Sequence, residues 1–191
     1  MSVHEIVLAS KSPRRRELLA KLFPEFKVYT ADVDESLDEG IDIKTGTEIL
    51  AVRKGRAVSE AIGKETLVIS SDTLVELDGE ALGKPSDEDE AFSMLSSLSG
   101  RVHYVHTGVA VHYMGGVLSG VDTTSVTFRQ ISPAECREYI ATGEPMDKAG
   151  AYAIQGIGAK FVKEYRGEYD TVVGLGMKLV ERLVREATEN E

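Results

Sequence analysis

The run Ile6-Val7-Leu8-Ala9-Ser10-Lys11-Ser12-Pro13-Arg14-Arg15-Arg16 changes character twice within a few residues. Its first four residues are apolar and short, the pattern of a buried strand. Ser12 then suits a helix N-cap and Pro13 the first helical position, so a helix is predicted from there to about Leu22. Leu18, Leu19 and Leu22 supply its apolar face at helical spacing. A buried strand that feeds a helix through a polar turn belongs to an α/β protein.

Working outward, Phe26 to Thr30 reads as a second strand, followed by the acidic loop Asp32-Val33-Asp34-Glu35. A helix is expected over Thr45 to Ile62, with Ile49, Leu50, Val52, Ala57, Val58 and Ala61 as candidates for its buried side. Leu67 to Ser70 is another short apolar strand. Thr73 to Leu77 and Ala81-Leu82 flank Asp78-Gly79, a dipeptide suited to a type I′ hairpin turn. Asp87 to Leu98 is a capped helix, and two long strands, Val102 to His112 and Val117 to Phe128, form a hairpin around Gly115-Gly116. Ser132-Pro133-Ala134-Glu135 opens a helix that runs to about Ala141. A strand over Lys160 to Tyr165 and a terminal helix over Val172 to Thr188 complete the chain. The sequence shows no internal repeat, low-complexity tract or linker, so one domain over residues 1–191 with a mixed sheet is expected.

Length and composition agree with that reading. A chain of 191 residues buries roughly 70% of its unfolded surface and needs no disulfide. Cys136 is the only cysteine, which excludes a cysteine-built zinc site and fits a reducing compartment. The N-terminus lacks a secretory pattern and no apolar run reaches the roughly 20 residues of a membrane span, so a cytoplasmic protein is expected. The net charge of −10, from 22 Lys plus Arg against 32 Asp plus Glu, argues against binding a nucleic acid polymer. A small anion is still acceptable wherever the cations gather.

Four segments gather polar residues where strands end. Ser10 to Arg16 lies at a helix start, where unsatisfied N–H groups and a partial positive charge suit phosphate. Arginines in a first turn oppose the dipole, which hints that positive charge is wanted there; a solvated basic patch is the competing reading. Ser70-Ser71-Asp72-Thr73 follows a buried strand, and a carboxylate there could hold a divalent metal or take a proton from water, or merely cap a turn. Three acids within Asp32 to Glu35 suit a hard cation such as magnesium, although clustered acids also form solvated loops. Gly143 to Gly156 is glycine-punctuated, and Gln155 within it could read a base edge through its amide, or the glycines could only turn the chain. Lys54, on a helix, and Lys84, in Leu82-Gly83-Lys84-Pro85, are the remaining candidate cations, each acceptable as a plain surface lysine. His103 and His106 leave opposite faces of a strand and cannot chelate one metal. No glycine-rich segment matches a Walker A loop or a dinucleotide fingerprint.

In order and spacing these stretches resemble the Maf family of nucleoside triphosphate pyrophosphatases. The likeness runs through Leu8 to Leu19, Asp32 to Glu35, Ser71-Asp72-Thr73, Leu77-Asp78-Gly79, Leu82 to Pro85, Leu98 to Arg101, Thr107-Gly108-Val109 and Gly143 to Gly156. The resemblance implies an elongated mixed β-sheet flanked by helices, with two lobes around a deep cleft (Maf/ITPase-like), in a homodimer. It implies hydrolysis of a nucleoside triphosphate to monophosphate and pyrophosphate with Mg2+ or Mn2+, held by Glu35 and Asp72. Asp72 would also activate water; Arg14, Arg15, Lys54 and Lys84 would neutralise the phosphates, with Ser10 and Ser12 as neutral donors, while Thr73 and Gln155 would read a pyrimidine. Arg14, Thr73 and Gln155 match the branch acting on dTTP and UTP; the 7-methyl-GTP branch carries a non-Arg residue at position 14 and Gln at 73. Two departures stand out: Ser70-Ser71 replaces the more frequent Gly-Ala, and Gly174-Leu175-Gly176 replaces Gly-Leu-Pro. The alternatives are a pyrophosphatase for 7-methyl-GTP or another non-standard triphosphate, and a nucleotide-binding inhibitor of septum formation without turnover.

Overall fold

The computed structural model describes residues 5–189, so the reading of the first four residues as free of a secretion signal lies outside it. The first strand, β1 (Ile6–Leu8), lies between β2 (Lys27–Val28) and β3 (Leu67–Leu77) and is parallel to both, with Leu8 opposite Val28 and Ile69. Strand β4 (Glu80–Leu82) pairs antiparallel with β3. Beyond β3 the order continues through β5 (Val102–Tyr113), β6 (Gly116–Phe128) and β7 (Val162–Arg166), the last antiparallel to β6. The result is a mixed seven-stranded sheet among the described residues, with helices α1 (Pro13–Ala20), α2 (Ile43–Ile62), α3 (Glu88–Leu98), α4 (Pro133–Ile140), α5 (Tyr169–Val173) and α6 (Met177–Glu189).

Local chemistry accounts for most boundaries. Ser12 caps α1 by accepting from Arg15 N–H, Asp42 caps α2 through Thr45, and Asp87 caps α3 through Glu90. At α4, Ser132 and Glu135 form a reciprocal capping box. Asp78 and Gly79 have φ of 55° and 83°, as the type I′ reading requires.

The chain divides into two compact units. One holds the chain up to Asp72, Thr107–Asp122 and the chain from Gly174 on; the other holds Thr73–His106 and Thr123–Val173. In the first, Leu8, Leu19, Leu50, Ala51, Val58, Val68, Ile69, Val109 and Leu183 are buried. In the second, aromatic rings fill the interior: Phe128 meets Tyr152 edge-on at 4.7 Å and Tyr139 meets Phe161 at 5.1 Å.

Several expectations need correction. The second strand shrinks to Lys27–Val28 because its partner β1 offers only three residues. The last strand starts at Val162, after a 3-10 turn over Ile157–Phe161. On α2 the buried face is Gly46, Thr47, Leu50, Ala51, Gly55, Val58 and Ser59, while Ile49 and Val52 are only half-buried and Ala61 is exposed. Small residues won because the helix sits directly on the sheet. A Cβ at Gly55 would strike the Ser70 hydroxyl and the His112 ring, and one at Gly108 would strike the Thr47 backbone. The terminal helix is not continuous: Gly174, at φ 122°, ends α5 and α6 begins only at Met177.

Candidate functional site

Parallel pairing sets the carboxyl-terminal end of β1 beside Ile69 of β3, and β3 does not end there as expected but runs on through Asp72 to Leu77, so Asp72 lies within a strand and not after one. Ala9 N–H donates to Ile69 C=O at 2.8 Å, which sets Ser10 beside Ser70 and Ser71. Ser10 is buried, and its hydroxyl accepts from Ser12 N–H at 3.2 Å. Arg14 and Arg15 are half-buried in the first turn of α1, and that turn holds no acid.

Lys54 is the centre of the arrangement. Its Nζ lies 2.5 Å from Asp72 Oδ1 and 2.8 Å from Glu35 Oε1. Asp72 is buried, whereas the Glu35 side chain is largely exposed. The seating of α2 makes this possible. Ser70 Oγ donates to Ala51 C=O at 2.7 Å and His112 Nε2 lies 3.1 Å from Val52 C=O, pinning the turn just before Lys54 to β3 and β5. Two hard carboxylate oxygens about one cationic nitrogen also fit a divalent cation that takes its other ligands from phosphate and water. No cluster of three or more His, Cys, Asp or Glu suited to a metal occurs among the described residues, so any such ion depends on the substrate for the rest of its shell.

Arg15 behaves differently from a free phosphate ligand. Its Nε donates to Gly174 C=O at 2.7 Å and a terminal nitrogen donates to Ser71 C=O at 2.8 Å. Ser71 Oγ donates to the same Gly174 carbonyl at 3.0 Å. Burial lowers the Arg15 pKa; Asp72 pulls it back up, Arg14 lowers it, and Glu35 raises it. The geometry agrees: Arg15 donates to the Ser71 carbonyl next to Asp72, and Lys54 joins Asp72 to Glu35.

The acidic loop divides its labour. The Asp34 carboxylate accepts from Ser36 N–H at 2.9 Å and from the Ser36 hydroxyl at 2.8 Å, and those bonds hold it below its ordinary pKa. Only Glu35 reaches Lys54. Thr73, Lys84 and Gln155 belong to the second unit, Thr73 half-buried and the other two exposed. The loop bearing Gln155 is held by the Glu144 carboxylate, which accepts from Ile157 N–H at 2.9 Å, Gly158 N–H at 3.0 Å and the Tyr139 hydroxyl at 2.7 Å. Burial alone would raise the Glu144 pKa, but these bonds outweigh it and bring it below its ordinary value. His103 and His106 keep separate company, His103 with the Tyr152 hydroxyl and His106 with Glu76 and Thr123.

Sequence reading missed Arg53 and His112, and it noted Ser70 and Gly174 as members of local patterns without assigning their bonds. The available signals were the two unusual runs, Ser70-Ser71, whose hydroxyls donate to the Ala51 and Gly174 carbonyls, and Gly174-Leu175-Gly176.

A family model described as Maf-like protein matches residues 5–187. A dTTP/UTP pyrophosphatase of Pelotomaculum thermopropionicum is 49% identical over 173 residues, 90% of each chain. One of Thermococcus onnurineus is 48% identical over 93% of this chain and 95% of its own, and one of Clostridium perfringens 45% identical over 90% and 91%. Among solved structures, the Ham1 protein of Staphylococcus aureus superposes with a TM-score of 0.51 at 17% identity, covering 97% of this chain and 95% of that one, a likeness of fold.

Proposed function

This chain belongs to the family of Maf-like proteins, and from that premise we propose that it is a nucleoside triphosphate pyrophosphatase. It hydrolyses dTTP, UTP and modified pyrimidine triphosphates to the monophosphate and pyrophosphate, clearing unwanted nucleotides from the pool. The observation that carries this reading is the Lys54 ammonium shared by Asp72 and Glu35, in the same unit as the arginine-bearing start of α1.

In the reaction, Asp72 orients water and accepts its proton as the oxygen bonds to phosphorus and pyrophosphate departs with the bonding pair. Lys54 keeps the two acids in place and meets charge that develops on the phosphates. Arg14, Ser10, Ser12 and the capped start of α1 receive the triphosphate, while Arg15 contributes charge and ties Ser71 to Gly174. Glu35 and Asp72 would hold a magnesium or manganese ion, which when bound withdraws charge from the phosphorus under attack. Lys84 is assigned to the leaving group, and Thr73 and Gln155 to the pyrimidine. We place the enzyme in the cytoplasm as a homodimer, in keeping with the lone Cys136 and with the absence, among the described residues, of a helix able to cross a membrane.

Pyrophosphate release measured across a panel of triphosphates tests the reading. Fast turnover of dTTP and UTP, with Asp72→Asn reduced by several orders of magnitude and still folded, is expected. Preference for 7-methyl-GTP, binding without turnover, or an active Asp72→Asn enzyme would each overturn it.

A further inference from the structure

We propose that Arg53 is a positioning residue for this reaction, clamping the backbone on both sides of Glu35 so that its carboxylate stays aimed at Lys54 and Asp72. The proposal rests on the pyrophosphatase reading above and adds to it a residue that the sequence did not single out. One guanidinium nitrogen of Arg53 donates to the carbonyls of both Asp34 and Ser36, the latter at 2.8 Å. Between those two carbonyls stands Glu35, and its Oε1 meets the very next residue of α2, Lys54, at 2.8 Å. Two consecutive helix residues therefore hold three consecutive loop residues, Arg53 by the main chain and Lys54 by the side chain.

The loop needs such a clamp. It has no helix or strand over 29–42, and the Glu35 side chain is largely exposed. A carboxylate on an untethered loop samples many positions, and each wrong one leaves Asp72 to face a cation alone. The Asp34–Ser36 turn shapes the loop internally without attaching it to anything. Arg53 supplies the attachment: its terminal nitrogen carries two N–H groups held in the guanidinium plane, enough for both carbonyls. Its own helix is pinned one and two residues earlier, where Ala51 and Val52 accept from Ser70 and His112.

The test compares wild type, Arg53→Met, Arg53→Lys, Glu35→Gln and the Arg53→Met/Glu35→Gln double variant. Arg53→Met is expected to raise the magnesium concentration for half-maximal pyrophosphate release about 10- to 100-fold, the usual scale for a group that orients a metal-binding side chain. At saturating magnesium its kcat should return close to that of wild type. Amide hydrogen exchange over residues 33–37 should accelerate while the melting temperature holds, and Arg53→Lys should recover part of the loss. In the Glu35→Gln background, Arg53→Met should add nothing further, because its effect passes through Glu35. An unchanged magnesium requirement in Arg53→Met, or an equal loss in both backgrounds, overturns the clamp. A wild-type protein inactive on every triphosphate instead defeats the pyrophosphatase reading, and the exchange measurement then still decides whether Arg53 holds the loop.

Discussion

Lys54 serves two acids with one nitrogen, so its removal leaves like charges facing each other beside the middle of β3. Lys54→Met is expected to keep the fold by circular dichroism and to lower kcat by about 10²–10³-fold, the scale of losing one preorganised charged group. A change within a few-fold would show that the ion pairs serve packing alone. Of the acids in Asp32-Val33-Asp34-Glu35, proximity in sequence says nothing about which one acts. Asp34 spends its carboxylate on Ser36, and Glu35 is left to meet the helix.

Helix α2 is the element that carries both Arg53 and Lys54, and its height above the sheet is set where Gly55 rests on Ser70 and His112. Gly55→Ala would force backbone and rings apart. The expected cost is about 1–3 kcal/mol in urea denaturation, the range for overpacking a tight contact. Turnover should fall as well, since lifting the helix withdraws Lys54 from Asp72. The loop over residues 143–158 depends on one acid in a similar way. Glu144→Ala strips three donors of their acceptor at once and should destabilise by roughly 2–4 kcal/mol, with faster proteolysis of that loop. Unaltered melting and protease resistance would refute the latch.

For the molecule as a whole, acid should be more damaging than its carboxylates alone would make it. Burial of His103 between Phe128 and Tyr152 lowers its pKa from 6.5 to about 4. The unfolded chain then binds this proton before the native state does. Its contribution is fully present above about pH 6.5, is lost as pH falls toward 4, and changes no further below that. The loss amounts to about 3 kcal/mol. His112, also lowered by burial, acts in the same direction. Denaturant midpoints measured from pH 7 to 4 should decline, and His103→Phe should flatten part of that decline. An identical slope in the variant would remove His103 from the account.

What the amino-acid order determined by itself is whatever depends on neighbours. The caps at Ser12, Asp87 and Ser132, the Asp78-Gly79 turn and the periodic strands and helices are made by contacts a few residues apart, so residue type and spacing suffice to read them. The set of candidate acids and cations was legible for the same reason, and the family likeness added their order along the chain. Residue pattern alone left the acids of the loop equivalent; the family likeness singled out Glu35, and the tertiary structure brings Glu35 to the Lys54 that Asp72 also meets. It alone decided that the terminal helix breaks and that the broken turn's Gly174 carbonyl receives Arg15 and Ser71. Those partners lie 159 and 103 residues away along the chain, and at such separations hydrogen bonds follow from how helices seat on the sheet, which no local pattern encodes.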